Sequence, residues 1–257
     1  MRVVEQVMGI PMSVDVRGVP DDARTRATVR RAFAVLHAAD RRFSTYREDS
    51  EVRRLDRGAL VAADISADLR EVLAIAARYT AATEGAFTVR APDGSLDPSG
   101  VVKGWAAQRA AEVLVDGGLT DFCLNAGGDV VTHGEREPGL PWRVAVRSPW
   151  DPAQLLTVVE QRDGAVATSG VYERGGHVWD GRTGAPARSL VAVTVVAADL
   201  TTADVLATCV LAMGVEGVAW AGTQGVRAVL AVRPDGAVLT GPGLNVAAVA
   251  PLPAARA

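Results

Sequence analysis

The sequence of 257 residues contains little lysine, little cysteine and few aromatic side chains. Of its 27 basic residues only Lys103 is a lysine, which is explained either by chance or by a chemical need for an ammonium group at this position. Aromatic residues make up 5% of the chain and the net charge is −3. This composition excludes the basic, ring-rich surfaces of nucleic-acid-binding proteins. The two cysteines, Cys123 and Cys209, lie in apolar runs and are expected to be core residues.

Long apolar runs are also missing. No stretch approaches the ~18 consecutive apolar residues of a membrane helix, and the first residues contain neither the apolar segment nor the cleavage site of a secretory signal. We therefore expect a protein without a membrane span, cytoplasmic as given, with a trimmed exported form as the alternative. Hydrophobic residues make up 49% of the chain, enough for the core of one large domain or two small ones.

The hydrophobic periodicity predicts an α+β fold with mixed or antiparallel sheets and flanking helices. Apolar positions at helical spacing predict four main helices, over residues 20–43, 66–83, 103–117 and 201–213. Most of the remaining chain has the short alternating segments and glycine turns of strands. The helices do not alternate regularly with these strands, which argues against a doubly wound parallel sheet.

Asp204 and Thr208 are four residues apart in the last of these predicted helices. Side chains at this spacing point the same way, and a carboxylate with a hydroxyl is a hard-oxygen pair suited to Mg²⁺. The alternative is structural, with an acid that favours the helix dipole and a packed hydroxyl.

The segment over residues 96–105 is a turn that leads into a helix and contains Asp97, Gly100 and Lys103. A helix start exposes backbone amides that can bind phosphate, and the lysine adds a positive charge. An equally good interpretation is a helix start capped by Asp97 or Ser99.

Two other groups are candidates on their residue type alone. Tyr46, in a polar loop, offers either a flat wall for a heteroaromatic ring or a half-buried ring with a hydrated hydroxyl. His177 is the best candidate for a general acid or base, since His37 lies on a helix and His133 is expected in a loop; a structural hydrogen bond is its alternative. The glycine turn at residues 125–129 does not match a dinucleotide-binding motif, so Asp129 is expected in a β-turn rather than in a phosphate cradle.

The order of these motifs along the chain resembles the ApbE family, the FAD:protein FMN transferases. The resemblance runs from Met8 to about Met213 and rests on the segments FSTYREDSE, TEGAFTV, LDPSGVVKGWA, LNAGGDV, ATSGVYER, HVWDGRTGAP and TTADVLAT. It implies a single domain over residues 1–257, built from two intertwined subdomains with FAD between them. It also implies an Mg²⁺-dependent transfer of FMN from FAD to a Thr or Ser hydroxyl of an acceptor protein, with release of AMP.

The resemblance also assigns site residues. It implies that Mg²⁺ is held by the Asp204 and Thr208 side chains and the Gly100 carbonyl, and that His177 and Asp204 are catalytic. The residues that it places around FAD are Met8, Tyr46, Ala86, Phe87, Thr88, Asp97, Lys103 and Thr183.

The chain departs from the family pattern at Thr88, where an Asp is usual, and at Ser99-Gly100 in the turn before the helix. A backbone carbonyl can bind a metal whatever the side chain, so the second departure matters little. Two alternatives share this site: an FAD pyrophosphatase that uses water as acceptor, and a flavin-binding protein without catalysis. Metal-dependent release of AMP from FAD separates the enzymes from the binding protein.

Overall fold

A computed structural model describes residues 1–151, 153–171 and 178–241 of the chain. Within these ranges, no helix has the length and apolar character needed to cross a lipid bilayer. The helices are α1 (Ala23–Phe43), α2 (Glu51–Asp56), α3 (Ala67–Ala82), α4 (Ser99–Asp116), α5 (Leu200–Met213) and α6 (Val215–Gly222), and a 3-10 turn spans Ala62–Asp64. The strands are β1 (Arg2–Val7), β2 (Ile10–Val16), β3 (Phe122–Ala126), β4 (Asp129–His133), β5 (Trp142–Arg147), β6 (Leu155–Gln161), β7 (Gly164–Gly170), β8 (Trp179–Asp180), β9 (Ala185–Pro186), β10 (Ala192–Ala197), β11 (Ala228–Val232) and β12 (Val238–Thr240).

Eight strands form one sheet in the order β1-β2-β3-β4-β7-β10-β11-β12. Every neighbouring pair is antiparallel, and several are joined by short turns, as the glycine-rich connections predict. The strands β5 and β6, like β8 and β9, form separate two-stranded hairpins. The predicted α+β class is confirmed, with sheets that are antiparallel throughout the described residues.

Three of the longer helices in the described residues begin at a side chain that accepts a hydrogen bond from a free amide of the first turn. Asp22 caps α1, Ser66 caps α3 and Asp199 caps α5, each through a bond to the amide three residues later. Helix α5 is apolar on nearly all sides. It is buried accordingly and packs against α4, β7 and β10. The central part of the helical layer therefore consists of α4 and α5, with α1 packed on α4.

The other face of the sheet is covered by the β5–β6 hairpin. Val144 of this hairpin packs with Val130, Val166, Val196 and Ala228 of the main sheet. Strand β5 shows the strict alternation of buried and exposed residues expected of a strand with one face on a core. The main sheet is thus enclosed between helices and a hairpin, and its sequence is correspondingly rich in valine and alanine.

The structure corrects two predictions about the elements and adds one helix. Helix α4 begins at Ser99, four residues before the predicted start at Lys103, so Ser99 lies inside the helix and does not cap it. The short helix α6 was not predicted. His133 is the last residue of β4 rather than part of a loop. The assignment of residues 1–257 to a single domain of two subdomains stays a prediction.

Candidate active site

A cavity of about 570 Å³ opens beside the helical layer. It is formed by the β1–β2 turn, the end of α1 with the loop after it, the start of α4, the end of β7, the β8 strand and α5. Nine of the predicted site residues line it: Met8, Tyr46, Phe87, Thr88, Asp97, Gly100, Lys103, Asp204 and Thr208. The topology of the fold therefore brings together residues that are as many as 200 positions apart in the chain, from Met8 to Thr208.

Met8 reaches the cavity because of an unusual turn. Met8 and Gly9 join β1 to β2 with φ angles of +52° and +74°. Positive φ at both central residues gives a turn whose twist matches the hairpin, but it is an uncommon conformation for a residue with a side chain. The methionine side chain is thereby placed at the cavity wall.

Phe87 and Thr88 follow a second sharp reversal of the chain, at the end of α3. Thr83 is buried there, and its hydroxyl accepts a hydrogen bond from the amide of Phe87 at 3.0 Å. Thr88 uses its hydroxyl to accept from the amide of Arg90 at 3.1 Å. Ala86, also predicted as a binding residue, is fully buried and lies behind the wall rather than in it.

The β8–β9 hairpin is docked on this reversal. The Gly181 amide donates to the carbonyl of Ala86 at 2.8 Å, and a Cβ atom added to Gly181 would lie 2.7 Å from Thr88 Cγ2. Thr183 is in the exposed turn of the hairpin, where its hydroxyl accepts from the amide of Ala185 at 3.2 Å. It does not line the cavity.

Tyr46 stands at the rim. Its loop is held by Ser44, whose hydroxyl accepts from the amides of Tyr46 and Arg47, each at 3.2 Å. The tyrosine itself is 90% exposed although it lines the cavity. The half-buried alternative is therefore wrong, and the position suits a ring that would close over a bound molecule.

Asp204 is the buried acid of the cavity, with an exposed fraction of 2%. Its Oδ2 accepts a hydrogen bond from the amide of Gly104 at 2.8 Å, and its Oδ1 lies 3.5 Å from the Nζ of Lys103. The helices approach so closely here that a Cβ atom on Gly104 would lie 2.6 Å from the Asp204 Cβ. Burial raises the pKa of Asp204, the Lys103 ammonium opposes this shift, and the carboxylate of Asp129 adds to it.

The proposed metal ligands lie around this acid. Thr208 is one turn along α5, where its hydroxyl donates to the Asp204 carbonyl at 3.2 Å and lies 3.0 Å from the hydroxyl of Ser169. Gly100 faces Thr208, since a Cβ atom added to it would lie 3.4 Å from Thr208 Cγ2. The amide of Gly104, which an α-helix would direct to the Gly100 carbonyl, donates to Asp204. The Asp204 carboxylate thus competes with the Gly100 carbonyl, the third predicted metal ligand, for the hydrogen bond from the Gly104 amide.

These residues fit a hard cation. A carboxylate, a hydroxyl and a backbone carbonyl are oxygen donors of the kind that Mg²⁺ prefers, and Mg²⁺ is usually held by few protein ligands. No group of three or more His, Cys, Asp or Glu side chains suited to a metal occurs in the described part of the chain. The candidate metal site therefore depends on hydroxyl and carbonyl oxygens as well as on Asp204.

Lys103 lies in α4 with its ammonium between two buried acids. It forms an ion pair with Asp129 and a longer one, at 3.5 Å, with Asp204. Asp97 lies at the start of the same helix, where its carboxylate accepts from the amide of Ser99 at 3.0 Å. Pro98 is the N-cap residue of α4 and no side chain caps this helix, so the alternative in which Asp97 or Ser99 is the cap is wrong. Both Asp97 and Lys103 line the cavity.

Sequence reasoning did not assign several residues in or beside the site, among them Asp129, Ser169 and Trp179. Asp129 was expected in a turn, but it is the first residue of β4 and is 2% exposed. Ser169 and Trp179 line the cavity from β7 and β8. The signals in the sequence were weak: Asp129 follows two glycines, and Ser169 precedes a glycine. Neither pattern shows which distant residue the side chain contacts.

His177 lies outside the described residues. The other histidines do not line the cavity. His37 pairs with Glu5 at 2.7 Å, and the His133 ring stacks on Phe122 while its Nδ1 lies 2.8 Å from the Thr120 carbonyl. Among the described histidines, none can therefore act at the candidate site.

The sequence matches the model of the ApbE family over residues 8–93 and 88–230. Among curated proteins, an FAD:protein FMN transferase of Rhodobacter capsulatus is 36% identical over 68% of this chain and 35% of its own length. A protein of the same name from Vibrio cholerae is 33% identical over 56% of this chain and 46% of its own length. The chain thus spans between a third and a half of these two relatives.

Solved structures show the same fold. The flavin transferase ApbE from Vibrio cholerae superimposes with a TM-score of 0.82 at 24% identity, over 95% of this chain and 97% of that one. The apo form of the flavinyl transferase ApbE of Pseudomonas stutzeri gives 0.81 at 23% identity, over 95% and 94%. The family model covers most of the described chain, from the Met8 turn to β11. The chain belongs to the ApbE family.

Proposed function

We propose that this chain is an FAD:protein FMN transferase that moves FMN from FAD to a Thr or Ser hydroxyl of an acceptor protein and releases AMP. The observation that carries the proposal is the convergence of Asp204, Thr208, Gly100 and Lys103 in one cavity. A hard-oxygen cluster beside an ammonium group suits the cleavage of a pyrophosphate, whose oxygens are anionic. The names of the relatives from Rhodobacter and Vibrio support the same activity.

FAD would occupy the cavity with its pyrophosphate near Lys103 and the start of α4. The amides and the dipole at this end of the helix favour an anion. Asp97 would accept hydrogen bonds from a hydroxyl or ring N–H group of the same molecule. Met8, Phe87, Thr88 and Tyr46 would contact the flavin or adenine parts, with Ala86 and Thr183 supporting the wall from behind and beside it.

Asp204, Thr208 and the Gly100 carbonyl would hold Mg²⁺. When bound there, the cation would neutralise charge that develops on the phosphate oxygens. Lys103, which lines the cavity, would hold a negatively charged oxygen of the pyrophosphate in place.

In the transfer, the acceptor oxygen forms a bond to the FMN phosphorus while the bond from that phosphorus to the bridging oxygen breaks. AMP leaves with the bridging oxygen. The proton of the acceptor hydroxyl passes to a general base, for which we propose His177. The same attack by water would give FMN and AMP without a protein adduct.

The test is a reaction of purified chain with FAD, Mg²⁺ and a protein domain that contains a flavinylation-type threonine. Mass spectrometry should show one FMN on the domain, and a Thr→Val variant of the acceptor should stay unmodified. AMP without an adduct on any acceptor tried would instead support FAD hydrolysis. Bound FAD that stays intact would support a flavin-binding protein.

A further inference from the structure

Asp129 is a buried carboxylate for which the proposed reaction gives no direct role. It does not line the cavity, and its side chain is nearly inaccessible to solvent. Burying a carboxylate is unfavourable unless its oxygens are paired. In this case Oδ1 accepts a hydrogen bond from the amide of Thr168 at 2.9 Å, and Oδ2 forms an ion pair with the Lys103 ammonium.

Lys103 is shared unequally between its two acids. Its Nζ lies 3.5 Å from Asp204 Oδ1 and is closer to Asp129 Oδ2. The attraction between charges falls with distance and is strong in a poorly hydrated site. The carboxylate of Asp129 therefore holds the ammonium on its own side.

The position of the Lys103 ammonium between the two acids matters because a metal ion and an ammonium group compete for the same carboxylate, that of Asp204. Both are cations, and the Asp204 oxygen that faces Lys103 is not the one that accepts from Gly104. If the ammonium settled fully on Asp204, it would occupy space beside Oδ1 and neutralise the charge that attracts a divalent cation.

We propose that Asp129 is a positioning residue, which holds Lys103 away from Asp204 and so keeps the Asp204 carboxylate available to a divalent cation. The inference rests on the proposed function, because it presupposes a cation at Asp204. Asp129 also fixes the β7 backbone at Thr168, the residue before the Ser169 whose hydroxyl contacts Thr208. It thereby connects the lysine on α4 to the strand beside the second proposed ligand.

The test measures binding of Mn²⁺ to the full chain without FAD, by the loss of the electron paramagnetic resonance signal of free Mn²⁺. Asp129→Asn keeps an oxygen for the Thr168 amide but removes the charge that holds Lys103. We expect it to weaken Mn²⁺ binding by about tenfold or more. Asp22→Asn removes one charge at the cap of α1, outside the cavity, and should leave binding unchanged.

A second variant separates positioning from a merely structural effect. In Asp129→Asn with Lys103→Met, no ammonium remains to cover Asp204, so Mn²⁺ affinity should return to within about threefold of the parent chain. A purely structural role predicts no such rescue. If Asp129→Asn does not fold, Lys103→Met alone decides: its Mn²⁺ affinity should equal or exceed that of the parent.

Three results would overturn the inference: undiminished binding by Asp129→Asn, a double variant as weak as the single one, or weakened binding by Lys103→Met. Each of these results would leave the proposed function intact, provided that the parent chain still binds Mn²⁺. A parent chain that binds no Mn²⁺ would overturn the inference together with the metal site of the proposed function.

Discussion

At the scale of single residues, Asp204 combines burial with a position between a lysine and a hydroxyl. Asp204→Asn keeps the shape of the side chain and removes its charge. We expect Mg²⁺-dependent AMP release from FAD to fall at least about a hundredfold, because the charged metal ligand is lost. Asp235→Asn, an exposed acid in the β11–β12 turn, is the matched control and should retain full activity. Undiminished AMP release by Asp204→Asn would remove this residue from the site.

Tyr46 gives a prediction that separates binding from stability. Because its ring is exposed, Tyr46→Ala should leave the free energy of unfolding unchanged. Loss of a stacked ring should weaken FAD binding by about tenfold, and Tyr46→Phe should restore it. Fluorescence titration with FAD measures the affinity. An unchanged dissociation constant for Tyr46→Ala would show that the ring lies outside the binding site.

Gly104 and Gly100 lie on the same helix and make a matched pair. A Cβ atom at Gly104 would lie 2.7 Å from the Leu200 carbonyl, whereas one at Gly100 would meet only side chains, at 3.3 Å or more. Gly104→Ala should therefore lower the free energy of unfolding by about 1–3 kcal/mol. Gly100→Ala should change it by less, and urea denaturation compares the two. Equal stabilities would contradict the close contact between α4 and α5.

At the scale of elements, the candidate ligands depend on the position of α5, which begins at its Asp199 cap. The Asp199 carboxylate accepts from the Thr202 amide at 2.8 Å. Asp199→Ala should lower the free energy of unfolding by about 1 kcal/mol, whereas Asp199→Asn preserves a capping oxygen and should be nearly neutral. Urea denaturation measures the free energy of unfolding of both variants. A loss as large for asparagine as for alanine would show that the capping bond is not the stabilising feature.

Sequence patterns predicted most elements, and the exceptions have physical causes. The start of α4 was placed too late because Pro98 and Gly100 are usually signs of a turn. Proline is tolerated at a helix start, and Gly100 lies within the first turn of the helix, where a Cβ atom would be 3.3 Å from Phe87 Cε2 and 3.4 Å from Thr208 Cγ2. The eight residues of α6 were missed because so short an apolar segment has no clear period.

The candidate site was predictable where a motif contained its own chemistry, as with Asp204 and Thr208. Asp129 was not, because its importance comes from Lys103 on another element, and that pairing follows from the order of strands in the sheet. A single sequence shows which residues are charged. It does not show which charges are buried together.

At the scale of the whole molecule, the fold is stabilised by an extensive apolar core rather than by the candidate metal site. The buried acids of the site already have Lys103 as a counter-ion. A chelator should therefore abolish AMP release, and added Mg²⁺ should restore it. The chelated chain should keep its circular dichroism spectrum and a thermal midpoint within a few degrees of the untreated one. Unfolding on chelation would show that the metal is structural.

The central claim is that cleavage of FAD and modification of the acceptor are one event. The most direct measurement follows AMP release and FMN attachment in the same reaction, with Mg²⁺ and an acceptor that contains the target threonine. We predict that the two products accumulate in equal amounts at every time point. AMP that accumulates without attached FMN would contradict transfer and identify water as the acceptor.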